Sequence, residues 1–294
     1  MEIEGNKITI NGKLVKILQF REEWDIDVTD PEQTINDIKR TGIKADIFSF
    51  IQRLPDSRPK FDYYMEWEST AALPIKTYEY WLKKQISQNS RKKIGLAKRK
   101  GVELRICDFN DDFVREQLTI YNETPIRQMK PDKAYGMTFE RAKKANSTFL
   151  DRAVFLGAYY KKELIGFLKI VHTKGHTRTM GIIGKIAHRD KAPMNLLLAK
   201  AIEICAEKES PFLTYGNYDF GKLGADSFKQ FKKNLGFENI IHPRYFIPLT
   251  TWGSIMLNFG LHKRFIQLMP LKLVRFLLFL REEWYKRKYA AYIQ

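Results

Sequence analysis

Cysteine is nearly missing from this sequence, so no disulfide framework can hold it together. Only Cys107 and Cys205 occur in 294 residues, far apart and in apolar surroundings, and a reducing cytoplasm is the expected compartment. Long hydrophobic runs are missing too. The most apolar stretch, 271–280, carries Lys272 and Arg275 and is too short and too charged to span a bilayer. The first ten residues, MEIEGNKITI, are acidic and lack an apolar run, so no signal peptide is expected. Acids are scarce beside bases: 34 Asp and Glu against 51 Lys and Arg leave a formal charge of +17. That balance implies a polyanionic partner, whether nucleic acid, an anionic membrane or phosphate-bearing ligands. Metal ligands are thin as well. His172 and His176 lie four apart in a predicted turn with no Cys or carboxylate cluster nearby, so no metal is expected.

What the chain does contain is core-forming material, 44% apolar overall, arranged around one stretch, PFLTYGNYDFGKLGADSFKQFKKNLGF (211–237). It reads as a buried strand, a Gly-rich polar loop (216–224), and a short helix that Asp226 can N-cap and Gly236 can terminate. At about 100° per residue, Phe228, Phe231 and Leu235 share an arc of about 60° that must face a core. Lys232 lies on its edge, about 40° from Phe228. A lysine leaning toward an apolar face beside a Gly-rich loop is the most suggestive feature of the sequence. The alternative is a lysine whose stem covers Phe228 while its head stays wet.

Upstream, residues 7–18 read as a strand or a hairpin with Asn11-Gly12 at the turn, and Asp30-Pro31 opens a helix closed by Gly42. Two β-like runs (46–52 and 61–72) follow, then one long helix predicted from Thr77 to Gly101. Nine Lys and Arg against Glu103 lie between Lys83 and Arg105, either a solvated face or an anion-binding border between two halves. From Val102 the order is strand, two helices, a three-stranded meander, a helix from Pro193 to Glu207, then the stretch above and a last strand near 244–249.

That order resembles the GNAT acyltransferase fold, and short motifs carry the resemblance further. FKKNLGFE (231–238) is similar to the F-Y-x-x-x-G-F signature of those enzymes, with Lys232 where the family's general acid Tyr stands. Arg91, Ile94, Ala97 and Gly101 resemble the R-x-x-I-x-x-A-x-x-x-G helix end of the FemABX-like and polysaccharide-locus acyltransferases, with a shift at the last spacing. Phe231, Lys232, Leu235 and Gly236 resemble their F-K-x-x-F/L-G motif, and Pro193, Asn195, Leu196 and Leu197 their P-x-x-L-L element. The resemblance implies a mixed α+β, tandem GNAT-like chain: a degenerate N-terminal half (1–100), an acyltransferase domain (101–250) and a basic helical tail (251–294).

The expected activity is transfer of an acetyl or aminoacyl group to an amine of a cell-envelope glycan or peptide precursor. The donor is acyl-CoA, such as acetyl-CoA, or aminoacyl-tRNA. One departure bears on that choice. The glycine-rich Q/R-x-x-G-x-G/A turn, whose amides cradle the CoA pyrophosphate, is replaced by 185–192, KIAHRDKA. Lys185, His188, Arg189 and Lys191, with Asn195 and Phe231, are then the donor-binding candidates, and the +17 charge would suit tRNA.

Acyl transfer passes through a tetrahedral oxyanion that needs fixed donors, the part the resemblance gives Lys232. Asp219 would hold or deprotonate the amine, unless it is an ordinary turn aspartate. Asn217, Tyr218, Glu66 and Arg91 are acceptor-side candidates. Glu66 and Glu68 share one strand face and equally fit a solvated one. Cys205, mid-helix among apolar residues, reads as a structural thiol.

The tail holds eight Lys and Arg against Glu282 and Glu283, the composition of a membrane-surface helix or of a helix docked on the domain. Two further classes stay open beside the enzyme: a non-catalytic GNAT-like module that binds nucleic acid, and a peripheral scaffold for a glycan-assembly complex at the inner face of the membrane.

Overall fold

The computed structural model of the protein describes residues 2–3, 5–127, 130–219, 226–263 and 269–289. Contacts divide these into two units. The first takes 2–70, 219, 239–263 and 269–274; the second takes 71–218, 226–238 and 275–289.

The first unit opens with β1 (Glu2–Ile3), β2 (Asn6–Asn11) and β3 (Ile17–Phe20). Strands β2 and β3 form the hairpin expected around Asn11-Gly12, with Ile8 opposite Phe20 and Asn11 opposite Ile17. Gly12 has φ 97°, and a Cβ there would lie 2.0 Å from the Val15 carbonyl oxygen, so this turn admits only glycine. Helix α1 (Pro31–Arg40) is capped by Asp30, whose carboxylate accepts the Gln33 N–H at 3.0 Å, and it buries Ile35 and Ile38. Next, β4 (Ile47–Ile51, IFSFI) is buried almost end to end. A strand apolar at successive positions belongs in a sheet interior, and β4 lies between β3, parallel, and β13 (Glu238–Pro248), antiparallel. Phe48 and Phe50 pack there with Leu18, Phe20, Ile38 and Tyr245.

Strand β5 (Met65–Pro74) belongs to the first unit through Thr70 and to the second from Ala71. The second unit then departs from expectation. The long helix from Thr77 is broken: α2 (Tyr78–Tyr80) runs into a π-helical turn (Trp81–Gln85), the chain extends at Ile86 and Ser87, and α3 (Gln88–Arg99) starts afresh. Two competitors outweigh continuity. The Ser87 hydroxyl accepts the Ser90 N–H at 3.2 Å as a new N-cap, and its own N–H donates to the Asn234 carbonyl at 2.8 Å. Trp81, fully buried, donates its indole N–H to the Leu235 carbonyl at 2.8 Å.

The remaining elements follow the predicted order: β6 (Glu103–Cys107), α4 (Asp111–Tyr121), the short pair β7 (Ile126–Arg127) and β8 (Lys130–Pro131), α5 (Phe139–Asn146), β9 (Ala153–Tyr160), β10 (Glu163–His172) and β11 (Thr177–Gly184). A 3-10 turn (Ile186–Lys191), α6 (Pro193–Glu207), β12 (Phe212–Thr214) and α7 (Asp226–Asn234) complete the unit. Its strands lie in the order β5-β12-β11-β10-β9-β6, with β9, β10 and β11 an antiparallel meander. Both faces of this sheet are covered. Leu156, Ala158, Leu168 and Ile170 pack with Leu197, Ile202 and Cys205 of α6 on one side; Phe155 and Phe167 pack with Phe113 and Ile120 of α4 on the other. Cys205 is buried, and desolvation raises its thiol to about 12, as for a structural thiol.

Lys169, on the middle strand, is buried. Its ammonium donates to the carbonyls of Asn146 (2.8 Å) and Thr148, tying off the end of α5. The chain closes with α8 (Thr251–Asn258) and α9 (Leu271–Lys288). Helix α8 is docked in the first unit, with Met256 and Leu257 buried against Ile47 and Phe246. The tail from 251 thus holds two helical pieces, with Pro270 immediately before the second. Among the described residues no helix is long and apolar enough to cross a membrane.

Candidate active site

The site of the second unit begins with a fault in the meander. Along β10 and β11, Lys169 faces Gly181 but Ile170 faces Thr179, so Met180 is an extra residue, a β-bulge that bends its strand. Strand β11 pairs in parallel with β12 only before the bulge, at Thr177–Leu213 and Arg178–Thr214. Beyond it, Ile182, Ile183 and Gly184 stay on β10 and no longer pair with β12, which remains on β5, opening a wedge. That wedge is a cleft of about 690 Å³, closed by the start of α6 (Pro193, Met194, Asn195) and by Tyr215, Phe228 and Phe231.

The polar equipment of the cleft is asymmetric. Lys93, Arg127, Lys185, Arg189 and Asn195 line it. Two of the cations are spent. Lys185 Nζ lies 2.5 Å from Glu163 Oε1, which holds that carboxyl below its usual range. Arg127 is bound to Asp132 (2.7 Å), Glu123 (3.0 Å) and the carbonyls of Gly184 (2.8 Å) and Ile120 (2.7 Å). Lys93 and Arg189 have no acidic partner among the described residues. Asn195 is 5% exposed.

Glu123 decides how the turn after β11 is used. Its carboxylate accepts the backbone N–H groups of Ile186 (2.7 Å) and Ala187 (2.9 Å). Amides that an anion could otherwise take at a strand-to-helix turn are here satisfied from within the protein. Arg189 apart, the turn's other ionisable side chains are paired as well. His188 Nε2 lies 3.3 Å from Glu163, and Asp190 pairs with Lys100 (2.7 Å) and Lys191 (3.2 Å), which brings Asp190 down to about 2. Lys185, His188 and Lys191 thus shape the turn, and of the expected basic set Arg189 is the one that lines the cleft with no acidic partner among the described residues.

Lys232 is fully buried, whereas Phe228 and Phe231 are half-buried, the reverse of what the helical arc suggested. Its ammonium donates to the Asn217 carbonyl at 2.6 Å and stands 4.4 Å from the ring centre of Phe228 and 4.8 Å from that of Tyr215. Desolvation lowers its pKa to about 8. Because Tyr215 and Phe228 line the cleft, the cation lies against the cleft's aromatic wall rather than in its lining. Gly236 lets α7 end there: at φ 87° with Gln85 Cβ 3.1 Å from where a side chain would start, it is the αL cap expected.

The other candidates are dispersed. Phe231 and Asn195 line the cleft. Asn217 is exposed and holds Lys232 through its carbonyl, and Tyr218 is partly buried against the core. Residues 220–224 of the Gly-rich loop and the side chain of Asp226 lie outside the described residues. Asp219 is grouped with the first unit, where its N–H donates to Ser69 Oγ at 3.2 Å. Glu66 is also in the first unit, accepting from His262 (2.9 Å), Lys263 (3.1 Å) and Tyr64 (3.1 Å). Burial pushes its carboxyl up, but the bonds from His262 and Lys263 prevail and leave it below its usual range. Arg91 is exposed on α3 and donates to the Lys83 carbonyl at 3.1 Å.

Sequence reading missed Lys93, Arg127, Glu123 and Tyr215. Arg127 and Glu123 sit in a proline-bearing connection with no period to reveal a shared face, and Lys93 was one of nine basic residues. Among the described residues no group of His, Cys, Asp and Glu could hold a metal.

A bulged strand parting from its parallel neighbour over a helix N-terminus, with the meander before it, is the architecture of the GNAT-like fold, and FemX is among the solved structures that share it. Solved structures match this architecture across most of the chain. The C-terminal domain ascribed to a lysylphosphatidylglycerol synthetase from Agrobacterium fabrum is similar at a TM-score of 0.56 and 13% identity, covering 87% of this chain and 86% of its own. L-PGS from Bacillus licheniformis is similar at 0.53 and 14%, covering 86% and 85%. FemX is similar at 0.51 and 10%, covering 79% and 72%. At these identities the likeness is one of fold. No family model matches the sequence, and no curated protein matches it.

Proposed function

We propose that this protein is an aminoacyltransferase that takes its acyl group from aminoacyl-tRNA and delivers it to an amine of a cell-envelope glycan or peptide precursor. The observation that carries the choice of donor is Glu123. With the Ile186 and Ala187 amides bound to its carboxylate, the turn offers no backbone cradle for a CoA pyrophosphate. An anionic donor must be held by side chains, and Lys93 and Arg189 are the unpaired cations at hand. Side-chain cations suit a nucleic-acid backbone, as does the +17 charge of the chain. One protein of similar fold is named for a lysyl group joined to phosphatidylglycerol, which supports an aminoacyl group as the one transferred.

In this reading the acceptor amine attacks the ester carbonyl of the aminoacyl-tRNA, forming a C–N bond and a tetrahedral oxyanion. Collapse breaks the ester C–O bond. The departing ribose oxygen takes up a proton, and the amine gives one up to solvent. Lys93 and Arg189 hold donor phosphate, and the Asn195 amide donates to the carbonyl oxygen as charge develops. Lys232 acts as a positioning residue: it fixes the Asn217 carbonyl and sets a positive charge behind the wall formed by Tyr215 and Phe228. Asp219 is given no step.

The test is titration with acetyl-CoA, with bulk aminoacyl-tRNA and with the same tRNA deacylated, followed by loss of the aminoacyl label in a single turnover. Aminoacyl-tRNA is expected to bind with a micromolar Kd, on the order of −8 kcal/mol, and to lose its label to envelope precursors, while acetyl-CoA does not bind. Micromolar binding of acetyl-CoA would overturn the donor assignment. Equal binding of charged and deacylated tRNA with the label retained would make the protein a nucleic-acid-binding module without chemistry.

A further inference from the structure

Helix α9 presents two faces of different fate. Val274 is fully buried, and Leu278, Arg281 and Tyr285 beside it are half-buried, so this side is docked. About 120° round the helix, Leu273, Phe276, Leu277, Leu280 and Trp284 occupy an arc of about 100°. All five are 44–56% exposed. Five large apolar side chains left in water along one stripe mark a surface that meets something.

We propose that this stripe lies in the surface of an anionic lipid bilayer, with the helix axis in the plane of the membrane. Charge identifies the occupant. The helix carries six cations against Glu282 and Glu283, and both acids are already paired with Lys286 (3.5 and 2.7 Å). Lys272 and Lys288 border the stripe and Arg287 stands at its C-terminal end, placed for lipid phosphates at the depth where apolar side chains enter. Lys288 lies 4.7 Å from the ring centre of Trp284, pairing a cation with an aromatic residue of the kind that sits at headgroup level. A second copy of the chain would set two such basic helices side by side, with no free acid on the stripe to offset the repulsion. Nucleic acid would meet the cations but gain nothing from Phe276, Leu280 or Trp284. The inference is independent of the transfer chemistry, and it places the protein where lipid-linked acceptors are found.

The experiment is flotation of the full chain with vesicles of phosphatidylcholine alone and of phosphatidylcholine with phosphatidylglycerol in equal parts, together with Trp emission. The protein is expected to float with the anionic vesicles only, with emission shifted to the blue, the shift being absent in Trp284→Phe. Raising salt from about 0.05 to about 0.5 M should weaken binding at least about tenfold. The triple variant Phe276→Ser, Leu280→Ser, Trp284→Ser alters only exposed side chains and should bind at least about tenfold more weakly. The variant Lys272→Gln, Arg287→Gln, Lys288→Gln gives an independent reading of the same face and should also bind about tenfold more weakly. Binding that is absent, insensitive to salt, equal on both vesicles or unchanged in the two variants would overturn the proposal. So would a concentration-dependent dimer, seen by sedimentation, that the triple variant abolishes.

Discussion

Replacing Lys232 by methionine separates a strut from a working charge. The side chain is fully buried, and desolvation lowers its pKa from 10.5 to about 8. At neutral pH the ammonium is therefore kept charged where the fold resists charge. A shift of that size corresponds to about 3 kcal/mol at about 1.4 kcal/mol per pH unit. Methionine conserves the volume and removes that penalty. It also gives up one hydrogen bond to Asn217, worth about 1–3 kcal/mol when charge-assisted, and contacts with two rings worth about 1 kcal/mol each. These amounts oppose one another, so at neutral pH the variant should stay within about 4 kcal/mol of the wild type.

The pH dependence carries the sign. Between the folded pKa near 8 and the unfolded value of 10.5, the unfolded chain binds the proton and the native protein does not, so wild-type stability rises with pH. The variant lacks this contribution, and the stability difference between the two proteins should move by about 3 kcal/mol across that window. Urea unfolding at several pH values measures it. In the transfer reaction the same variant should lose about tenfold to hundredfold in rate, as when a fixed charge near a developing oxyanion is removed. A variant that is destabilised by more than about 4 kcal/mol at every pH, with the transfer rate intact, would refute the reasoning and make Lys232 a structural strut.

Three other outcomes follow from particular contacts. Lys169→Met should remove a second rise in stability over the same pH range, since burial also brings Lys169 down to about 8; urea titrations at the two ends of the range would show it. Glu123→Ala strips three hydrogen bonds and leaves the Ile186 and Ala187 amides unmet, at a cost of about 3–5 kcal/mol by thermal unfolding, while Glu123→Gln should cost less and admit inorganic pyrophosphate that the wild type excludes, as read by calorimetric titration. Ser87→Ala removes the cap that restarts the helix and should cost about 1 kcal/mol, seen as a Tm lower by about 2–4 °C.

How much was legible beforehand depends on how local the cause is. The Asp30-Pro31 cap, the Asn11-Gly12 turn, α4 at Asp111–Tyr121 and α6 at Pro193–Glu207 came straight from the sequence, because caps, glycine turns and helical stripes act within a few residues. The meander was legible for the same reason, its connections being too short for any other path. The order of these elements was enough to indicate the acyltransferase fold, and Lys232 was marked as unusual by its place on the α7 arc.

Only the tertiary structure decided the rest. The break at Ser87 turns on a hydrogen bond to Asn234, far along the chain, and the bulge at Met180 that opens the cleft is a matter of register with β10. The cation of Lys232 was expected at the cleft, but it lies behind Tyr215 and Phe228, because its ammonium gains the Asn217 carbonyl and two ring faces there. Which cations stay unpaired could not be read at all. Asp190 adjoins both Arg189 and Lys191 in the sequence, but it pairs with Lys191 and the distant Lys100, while Glu163 on β10 takes Lys185 and His188. Local propensity is written in adjacent residues, whereas pairing, desolvation and the opening between two strands depend on groups that sequence distance does not connect.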